Sequence, residues 1–519
     1  MAMPLPPFQN EPYLDFSKPV ARQSMQQAIS NVRAEFGHSY PLWIAGQQVE
    51  TGDLLVSTNP SHSAEIVGSH HKATPELARR AVEDAFAYFP TWAATPVQHR
   101  VQLVTGLAAL LRQSKLELNA WLVLESGKNW NEAEADTGEA IDFCEYYARQ
   151  MLRLAAPGEL VQMPGETSTM EYLPLGVGVI IPPWNFPLAI LAGMTVAALA
   201  AGNTVVIKPS SETPTIAAKF AELLLEAGFP DRCFSLCTGS GAAIGDLLVT
   251  HPKTRFISFT GSREVGLRIN ELAAKPQPGQ VWIRRVVAEM GGKDAIIVDE
   301  EADLDAAVSG VLASAFGFQG QKCSACSRAI VHYKIYNAFL EKLKPRVEAL
   351  TQGPAEDPAN YLGPVIGKGA RDTILEYIKV GIEEGRLVTG GEIASGDGWY
   401  LKPTVIADVS PRARIFQEEI FGPVLAVTRA ADFDEALRMA NDTEYGLTGA
   451  VYSLNKDKLD KARREFHVGN LYLNRKCTGA MVGANPFGGF NMSGTDSKAG
   501  GPDYLLQFLQ AKSIAEKTI

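Results

Sequence analysis

The sequence holds 519 residues, 46% of them hydrophobic and 20% charged, which excludes a disordered chain or a collagen-like repeat and predicts two to four packed units at roughly 100–200 residues per domain. Asp and Glu number 58 against 48 Lys and Arg, a formal charge of -10, which argues against nucleic acid or an anionic membrane as partner. Six cysteines (Cys144, Cys233, Cys237, Cys323, Cys326 and Cys477) are too sparse for a disulfide framework, so a reducing compartment is expected.

Met1 to Pro7 has no basic residue and no apolar run, so no secretory signal is predicted and the expected location is the cytoplasm. Residues 1 to about 60 read as an extended arm ending in a small hairpin around Leu42 to Gly46. Helical spacing begins after Pro75. Val97, Val101, Val104, Ala108 and Leu111 recur at three- and four-residue steps on a helix started at Pro96, since proline suits a first helical turn. A second long helix is predicted from Glu132 to Arg153, with Ala140, Phe143, Cys144, Tyr147 and Met151 facing the core. Gly158 to Tyr172 is polar and alternating, and reads as a two-stranded hairpin around Pro164-Gly165 with a wet face.

Tyr172 to Ile207 has no charged side chain and is long enough to cross a bilayer. Prolines at 174, 182, 183 and 187 cut it into short pieces, so it reads as a buried α/β unit. Strands are predicted at Val177 to Ile181, Thr204 to Ile207, Phe234 to Leu236 and Arg255 to Phe259, separated by helices at Leu188 to Ala201, Ile216 to Ala227 and Ala242 to Val249. Such alternation implies parallel strands covered by helices, with ligands beyond the strand C-termini. Lys275 to Gln280 reads as a loop before a change of domain. A second α/β series follows, with strands near Ala295 to Val298, Ala329 to His332, Val424 to Val427, Ala450 to Tyr452 and Leu471 to Asn474.

Several turns in these series carry candidate chemistry. Asn185, within Pro182-Pro183-Trp184-Asn185-Phe186-Pro187, reads either as a helix N-cap or as a side-chain donor aimed at a developing oxyanion. Lys208 is either a solvated strand end or a ligand of a ribose hydroxyl or phosphate. Thr238 to Gly245 opens a helix with glycines at 239, 241 and 245, the last one residue late for the dinucleotide fingerprint. Phe259-Thr260-Gly261-Ser262 offers another helix N-terminus for a pyrophosphate.

Glu289-Met290-Gly291-Gly292-Lys293 and Gln319-Gly320-Gln321-Lys322-Cys323-Ser324 supply what thiol chemistry needs. A thiolate attacks a carbonyl, and a carboxylate later activates water. The bland alternatives are a salt-bridged Glu289 and a Cys323 buried as a small hydrophobe. The polar flanks of Cys323 disfavour the latter, and Lys322 is expected to favour the thiolate. Cys323 and Cys326 also form C-x-x-C, a redox or metal reading. No second cysteine pair or histidine cluster accompanies it, so no metal site is predicted.

Taken in order, Pro183-Trp184-Asn185-Phe186-Pro187, Lys208-Pro209, Phe259 to Ser262, Glu289 to Lys293, Gly320 to Cys323, Glu418-Glu419-Ile420-Phe421-Gly422-Pro423 and Asn485-Pro486-Phe487-Gly488-Gly489 resemble the aldehyde dehydrogenase superfamily over roughly residues 170 to 495. That family's glycine turn takes the late-glycine form seen here. The resemblance implies an α/β fold with a Rossmann-type dinucleotide domain, an α/β catalytic domain and a β-flap for oligomerisation. The expected division is an N-terminal arm 1–60, a dinucleotide domain 61–157 and 173–287, a catalytic domain 288–490, and a flap 158–172 and 491–519.

It also implies roles. Cys323 would add to the aldehyde, Asn185 and the Cys323 N–H would hold the oxyanion, and Glu289 would activate water to hydrolyse a thioester. Lys208 and Glu419 would bind the riboses and Phe421 would flank the nicotinamide, with Ile181, Trp184, Ser211, Gly241, Gly245, Phe259, Gly261 and Ser262 completing the cofactor site. NAD-restricted members commonly carry glutamate where this chain has Ser211, so NAD is expected with NADP tolerated.

Pro7 to Pro12, Lys322-Cys323-Ser324, Cys477-Thr478-Gly479-Ala480 and Lys498 to Leu505 are most similar to the branch that oxidises glutamate semialdehyde in proline breakdown. This implies a carboxylate anchor made by the Ser324 hydroxyl with the Gly479 and Ala480 N–H groups, and an aliphatic slot walled by Phe186 and Phe487. Small residues there let backbone donors approach an anion. The expected partners are a small aldehyde bearing a carboxylate and further copies of the chain, as a homodimer or dimer-based hexamer. Rival readings are an enzyme for another semialdehyde such as succinic semialdehyde, a non-catalytic binding protein of the same fold, and a C-x-x-C redox protein.

Overall fold

The uncharged run folds as strand, helix and strand because its residues suit burial on every side. Val177–Ile181, Ala189–Ala200 and Thr204–Ile207 are almost wholly buried, as expected where a parallel sheet is covered on both faces. The computed structural model describes residues 5–156 and 160–518. Met1 to Pro4 of the expected arm, Gly158 and Glu159 of the expected hairpin, and Ile519 of the expected flap lie outside them. Among the described residues no helix is long and apolar enough to cross a membrane.

Five parallel strands form most of the first sheet, in the order Arg285–Glu289, Thr254–Thr260, Val177–Ile181, Thr204–Ile207, Phe234–Leu236, and the hairpin Leu42–Ile44 with Gln47–Val49 extends the last edge. The chain builds outward from Val177–Ile181, then returns to that strand's other side at Thr254–Thr260. A crevice opens where the strand order reverses, beyond the C-terminal ends of these two strands.

The second seven-stranded sheet runs Arg386–Thr389, Thr404–Ala407, Val424–Ala430, Cys326–His332, Asp294–Val298, Thr448–Tyr452, Asn470–Leu473, all parallel except the first. Two hydrophobic clusters cover its faces, one holding Ile296 and Val298, the other Ala295 and Ile297. A smaller sheet joins His38–Tyr40, Ile66–His71 and Leu54–Thr58. Both large sheets and their helices give the α/β fold expected from the alternation.

Four expectations are corrected. The first residues are not a purely extended arm, because Pro19–Ala34 is a helix with Pro19 in its first turn and Met25, Ile29 and Val32 buried. Its other positions are mostly polar, so the apolar stripe is one residue wide and easily overlooked. Among the described residues no first strand precedes Pro164-Gly165, so the expected local hairpin is not seen there. Glu166–Pro174 pairs instead with Leu509–Lys517, antiparallel from Leu509 opposite Pro174 to Lys517 opposite Glu166. Local alternation reveals a strand, not its partner. The segment 491–508 does not belong to that ribbon either, since Tyr504, Leu505 and Phe508 sit in the main core. The expected domain change at 287/288 falls inside the strand Arg285–Glu289 of the first sheet.

Candidate active site

Cys323 lies just past Gly317–Gly320, the turn that follows the helix Leu304–Phe316. Within that turn Phe318 and Gln319 take left-handed φ of 50° and 57°. The sharp reversal directs the following loop onto the glycine pair after Glu289. A Cβ at Gly292 would collide with the Cys323 carbonyl oxygen, and one at Gly291 with the Glu419 carboxylate. The two glycines therefore let the three chain segments meet. Gly292 N donates to Glu419 Oε1 at 3.0 Å.

Cys323 is partly exposed, whereas the other five cysteines are buried. Burial of the sulfur, with Asp294, Glu419 and Glu289 nearby, pushes its thiol well above the usual range. The expected help from Lys322 is absent, because its Nζ pairs with Glu132 Oε1 at 2.7 Å. Cys326, 1% exposed, donates its Sγ to Arg328 O at 3.4 Å. The C-x-x-C pair thus divides into one sulfur facing the site and one facing the core.

Glu289 ends its strand with both carboxylate oxygens engaged. Oε1 accepts from Ser497 Oγ at 2.5 Å and Ser497 N at 3.4 Å, and Oε2 accepts from Gly489 N at 3.3 Å. Burial outweighs these donors and pushes its carboxyl up to about 7, a value suited to proton transfer at neutral pH. Ser497 has no motif around it that sequence reasoning recognises.

Asn185 is buried and donates from Nδ2 to Gln321 O at 3.0 Å. It is not a helix N-cap. The helix Ala189–Ala200 has Leu188 at that position without a side-chain cap, and Ala189 N donates to Asp136 Oδ1 at 2.7 Å. The Nδ2 group has a second proton to give. Among the described residues the Cys323 N–H has no backbone acceptor. One amide and one N–H thus flank the sulfur's loop.

Phe186 meets Phe318 edge to face at 6.4 Å, and the buried Lys128 ammonium lies 3.8 Å from its ring centroid. Lys128, Glu132 and Asp136 form a buried ionic group beside this wall. Sequence reasoning missed it, although Glu132 and Asp136 share one helix face at a four-residue step.

Residues expected to hold a dinucleotide lie around the crevice. Lys208 is buried after its strand, donates to Pro209 O at 3.0 Å, and has its ammonium lowered to about 8 by burial. Gly241–Gly245 is one turn of wide helix capped by Ser240, whose Oγ accepts from Ala243 N. Nothing lies within 4 Å of where a Cβ would stand at Gly241 or Gly245, so no protein packing demands glycine there. Close approach by something else explains both. At Gly261 a Cβ would instead press on the buried Phe259 ring at 2.6 Å.

Ser262 caps Arg263–Ala274 by accepting from Val265 N at 3.3 Å. Ile181 packs between two core clusters. Trp184 and Phe421 meet edge to face at 5.4 Å, Phe421 with φ of 58°. Burial raises Glu419 to about 7. Ser211 is half-buried beside an exposed Glu212. These donors, aromatic rings and open glycines fit a dinucleotide.

The expected anchor turn reaches the cysteine loop. Cys477 Sγ donates to Ser324 O at 3.4 Å, while Gly479 takes φ of 77°. Arg475 Nη2 donates to the Thr478 and Gly479 carbonyls at 3.0 Å each, which leaves the N–H side of the turn free to face an anion. Ala480 is half-buried. Phe487 arrives by pairing with Ala499 in an antiparallel bridge.

The model of the aldehyde dehydrogenase family matches residues 43–514. A 1-pyrroline-5-carboxylate dehydrogenase of Geobacillus thermodenitrificans (strain NG80-2) is 57% identical over 510 residues, 98% of this chain and 99% of that one. The solved structure of a Thermus 1-pyrroline-5-carboxylate dehydrogenase with bound NAD has a TM-score of 0.98 at 52% identity, covering 99% of this chain and 100% of that one. A betaine aldehyde dehydrogenase from Staphylococcus aureus in complex with NAD+ has a TM-score of 0.89 at 30% identity, covering 95% and 98%.

Proposed function

The chain belongs to the aldehyde dehydrogenase family, and on that premise we propose that it oxidises glutamate 5-semialdehyde, the open form of 1-pyrroline-5-carboxylate, to glutamate with NAD. The observation that carries this substrate is full-length similarity to a 1-pyrroline-5-carboxylate dehydrogenase, 57% identical over 98% of this chain. Such a reaction would complete proline breakdown after a proline dehydrogenase.

In this reading Cys323 gives up its proton and its sulfur adds to the aldehyde carbon. The carbonyl electron pair becomes an oxyanion, held by the second Asn185 proton and the Cys323 N–H, each donor contributing about 3–4 kcal/mol. The proton of the raised thiol passes to solvent, and Glu289, near 7, is kept as the base of the later hydrolytic step. When bound, oxidised NAD supplies the acceptor for the hydride that leaves the former aldehyde carbon. The acyl group then rests on Cys323 as a thioester. Glu289 takes a proton from the attacking water, and glutamate leaves with the thiol restored.

Lys208 and Glu419 would hold the riboses, with Phe421, Trp184 and Ile181 around the rings and the turns at Gly241, Gly245 and Phe259 to Ser262 along the phosphates. Ser211 would leave room for a 2′-phosphate, so NADP is tolerated. The substrate carboxylate would rest on the Ser324 hydroxyl and the Gly479 and Ala480 N–H groups, its chain between Phe186 and Phe487. The ribbon of Glu166–Pro174 and Leu509–Lys517 has two open edges, and an isolated two-stranded ribbon is marginal in water. A second copy would cover it in a homodimer, alone or within a hexamer.

Absorbance of the reduced cofactor tests substrate and cofactor together. Pyrroline-5-carboxylate with NAD is expected to turn over fastest, and with NADP measurably. Faster oxidation of succinic semialdehyde would reassign the substrate. Absence of any aldehyde-dependent reduction, together with no aldehyde protection against thiol inactivation, would favour a binding protein.

A further inference from the structure

The open edge of the strand ending in Glu289 is covered by a segment from the far end of the chain. Met290 N donates to Ser493 O at 2.7 Å and Thr495 N to Ala288 O at 2.9 Å, and Glu289 faces Gly494 in an antiparallel bridge. Asp496 and Lys498 both hold left-handed φ, 52° and 53°, an unfavourable conformation for residues with a Cβ. Between them stands Ser497, turned so that its hydroxyl and N–H reach one oxygen of Glu289.

The surrounding cage leaves the carboxylate little freedom. A Cβ at Gly488 would lie 3.1 Å from Glu289 Oε1, and one at Gly494 would lie 3.2 Å from Oε2. Among the described residues Ser497 supplies the one side-chain hydrogen bond to this carboxylate; the others come from backbone N–H groups.

We propose that Ser497 is a positioning residue for the hydrolytic step, its hydroxyl fixing the Glu289 carboxylate and stabilising the ionised form that accepts the proton of the attacking water. This rests on the assignment of Glu289 as the base. The other groups facing Glu289 are the Lys498 ammonium, the Cys323 thiol and the Tyr504 phenol. Lys498 favours the anion, but its Nζ is already engaged by the Gly469 and Gly488 carbonyls, each at 2.8 Å, and by Asp496 at 2.9 Å. Cys323 and Tyr504 offer no compensating positive charge. Without the Ser497 hydroxyl, burial is opposed by two longer backbone hydrogen bonds and by a Lys498 charge already shared with Asp496 and two carbonyls.

The test is rapid-mixing kinetics of reduced-cofactor formation against pH with the full-length enzyme. Ser497→Ala is expected to retain the first-turnover burst. Its steady-state rate at pH 7 is expected to fall about fivefold, as the acid limb of the steady-state profile moves up from about 7 by about one unit. Ser497→Thr is expected to restore the limb, and Ser497→Cys, a weaker donor of similar size, to fall between, which keeps the test decisive if the alanine variant does not fold. An unmoved limb in Ser497→Cys or Ser497→Ala, or equal loss of burst and steady state, would overturn the proposal. Glu289→Gln separates the two assignments. Wild-type turnover in that variant would remove Glu289 as the base, whereas a burst without turnover beside an unmoved Ser497 limb would remove only Ser497.

Discussion

The raised carboxyl of Glu289 has a consequence for stability that is separable from catalysis. In the unfolded chain a glutamate titrates near 4.5, and in the folded chain this one titrates at about 7. Between those values the native state holds a proton that the unfolded state has lost, so its contribution is present below 4.5 and disappears as pH rises through 7. At about 1.4 kcal/mol per unit, the native state loses about 2–3 kcal/mol at this site between pH 5 and pH 8. Glu289→Gln removes the titration. Its amide also mispairs with one of the N–H donors from Gly489 or Ser497, but that cost is the same at both pH values and cancels from the difference. The melting temperature of the variant relative to the wild type is therefore expected to rise by about 2 °C from pH 5 to pH 8, given the unfolding entropy of a chain this size. Thermal melts of both proteins at both pH values read this directly. A pH-independent difference would show that the carboxylate titrates at its ordinary value, and the argument that burial tunes the base to neutral pH would fail.

Asn185→Ala is expected to lower kcat about 100- to 1,000-fold while leaving the cofactor dissociation constant unchanged, measured by steady-state kinetics and fluorescence titration. Alkylation of Cys323 by iodoacetamide in the cofactor-free protein is expected to accelerate with pH up to and beyond 9, since burial and three carboxylates oppose the thiolate; a plateau below pH 8 would contradict that. Cys323→Ser is expected to abolish aldehyde oxidation, whereas Cys326→Ser changes it mildly, because Cys326 faces the core. Gly241→Val has room in the protein itself, so its melting temperature is expected to stay near wild type while KM for NAD rises; an unchanged KM would place the dinucleotide elsewhere.

The elements easiest to read from sequence were those whose residues are buried on all sides. Val177–Ile181, Thr204–Ile207 and Phe234–Leu236 occur where their apolar runs predict them, because a short apolar run between turn residues suits a covered parallel strand. The helix Pro19–Ala34 was harder, since only Met25, Ile29 and Val32 are buried. The pairing of Glu166–Pro174 with the far end of the chain is not legible in the residues themselves, and only the family resemblance groups 158–172 with 491–519. A strand's alternation specifies which face is wet, and nothing in it distinguishes a partner a few residues away from one beyond residue 500.

The site divides along the same line. Residues whose chemistry is local to a motif, such as Cys323, Glu289 and Asn185, can be singled out because their types are unusual in their surroundings. Residues that matter through another side chain cannot. Lys322 next to Cys323 in sequence suggests an activating charge, but its side chain reaches Glu132, and the effect belongs to a different pair. Ser497 is one of many serines until the left-handed residues on either side turn it onto Glu289. Adjacency in sequence is therefore a poor guide to which charge a nucleophile feels. The backbone conformation between a residue and its neighbour decides whether their side chains meet, and at Gly291 and Gly292 it is the absence of side chains that lets the cysteine loop and Glu419 approach.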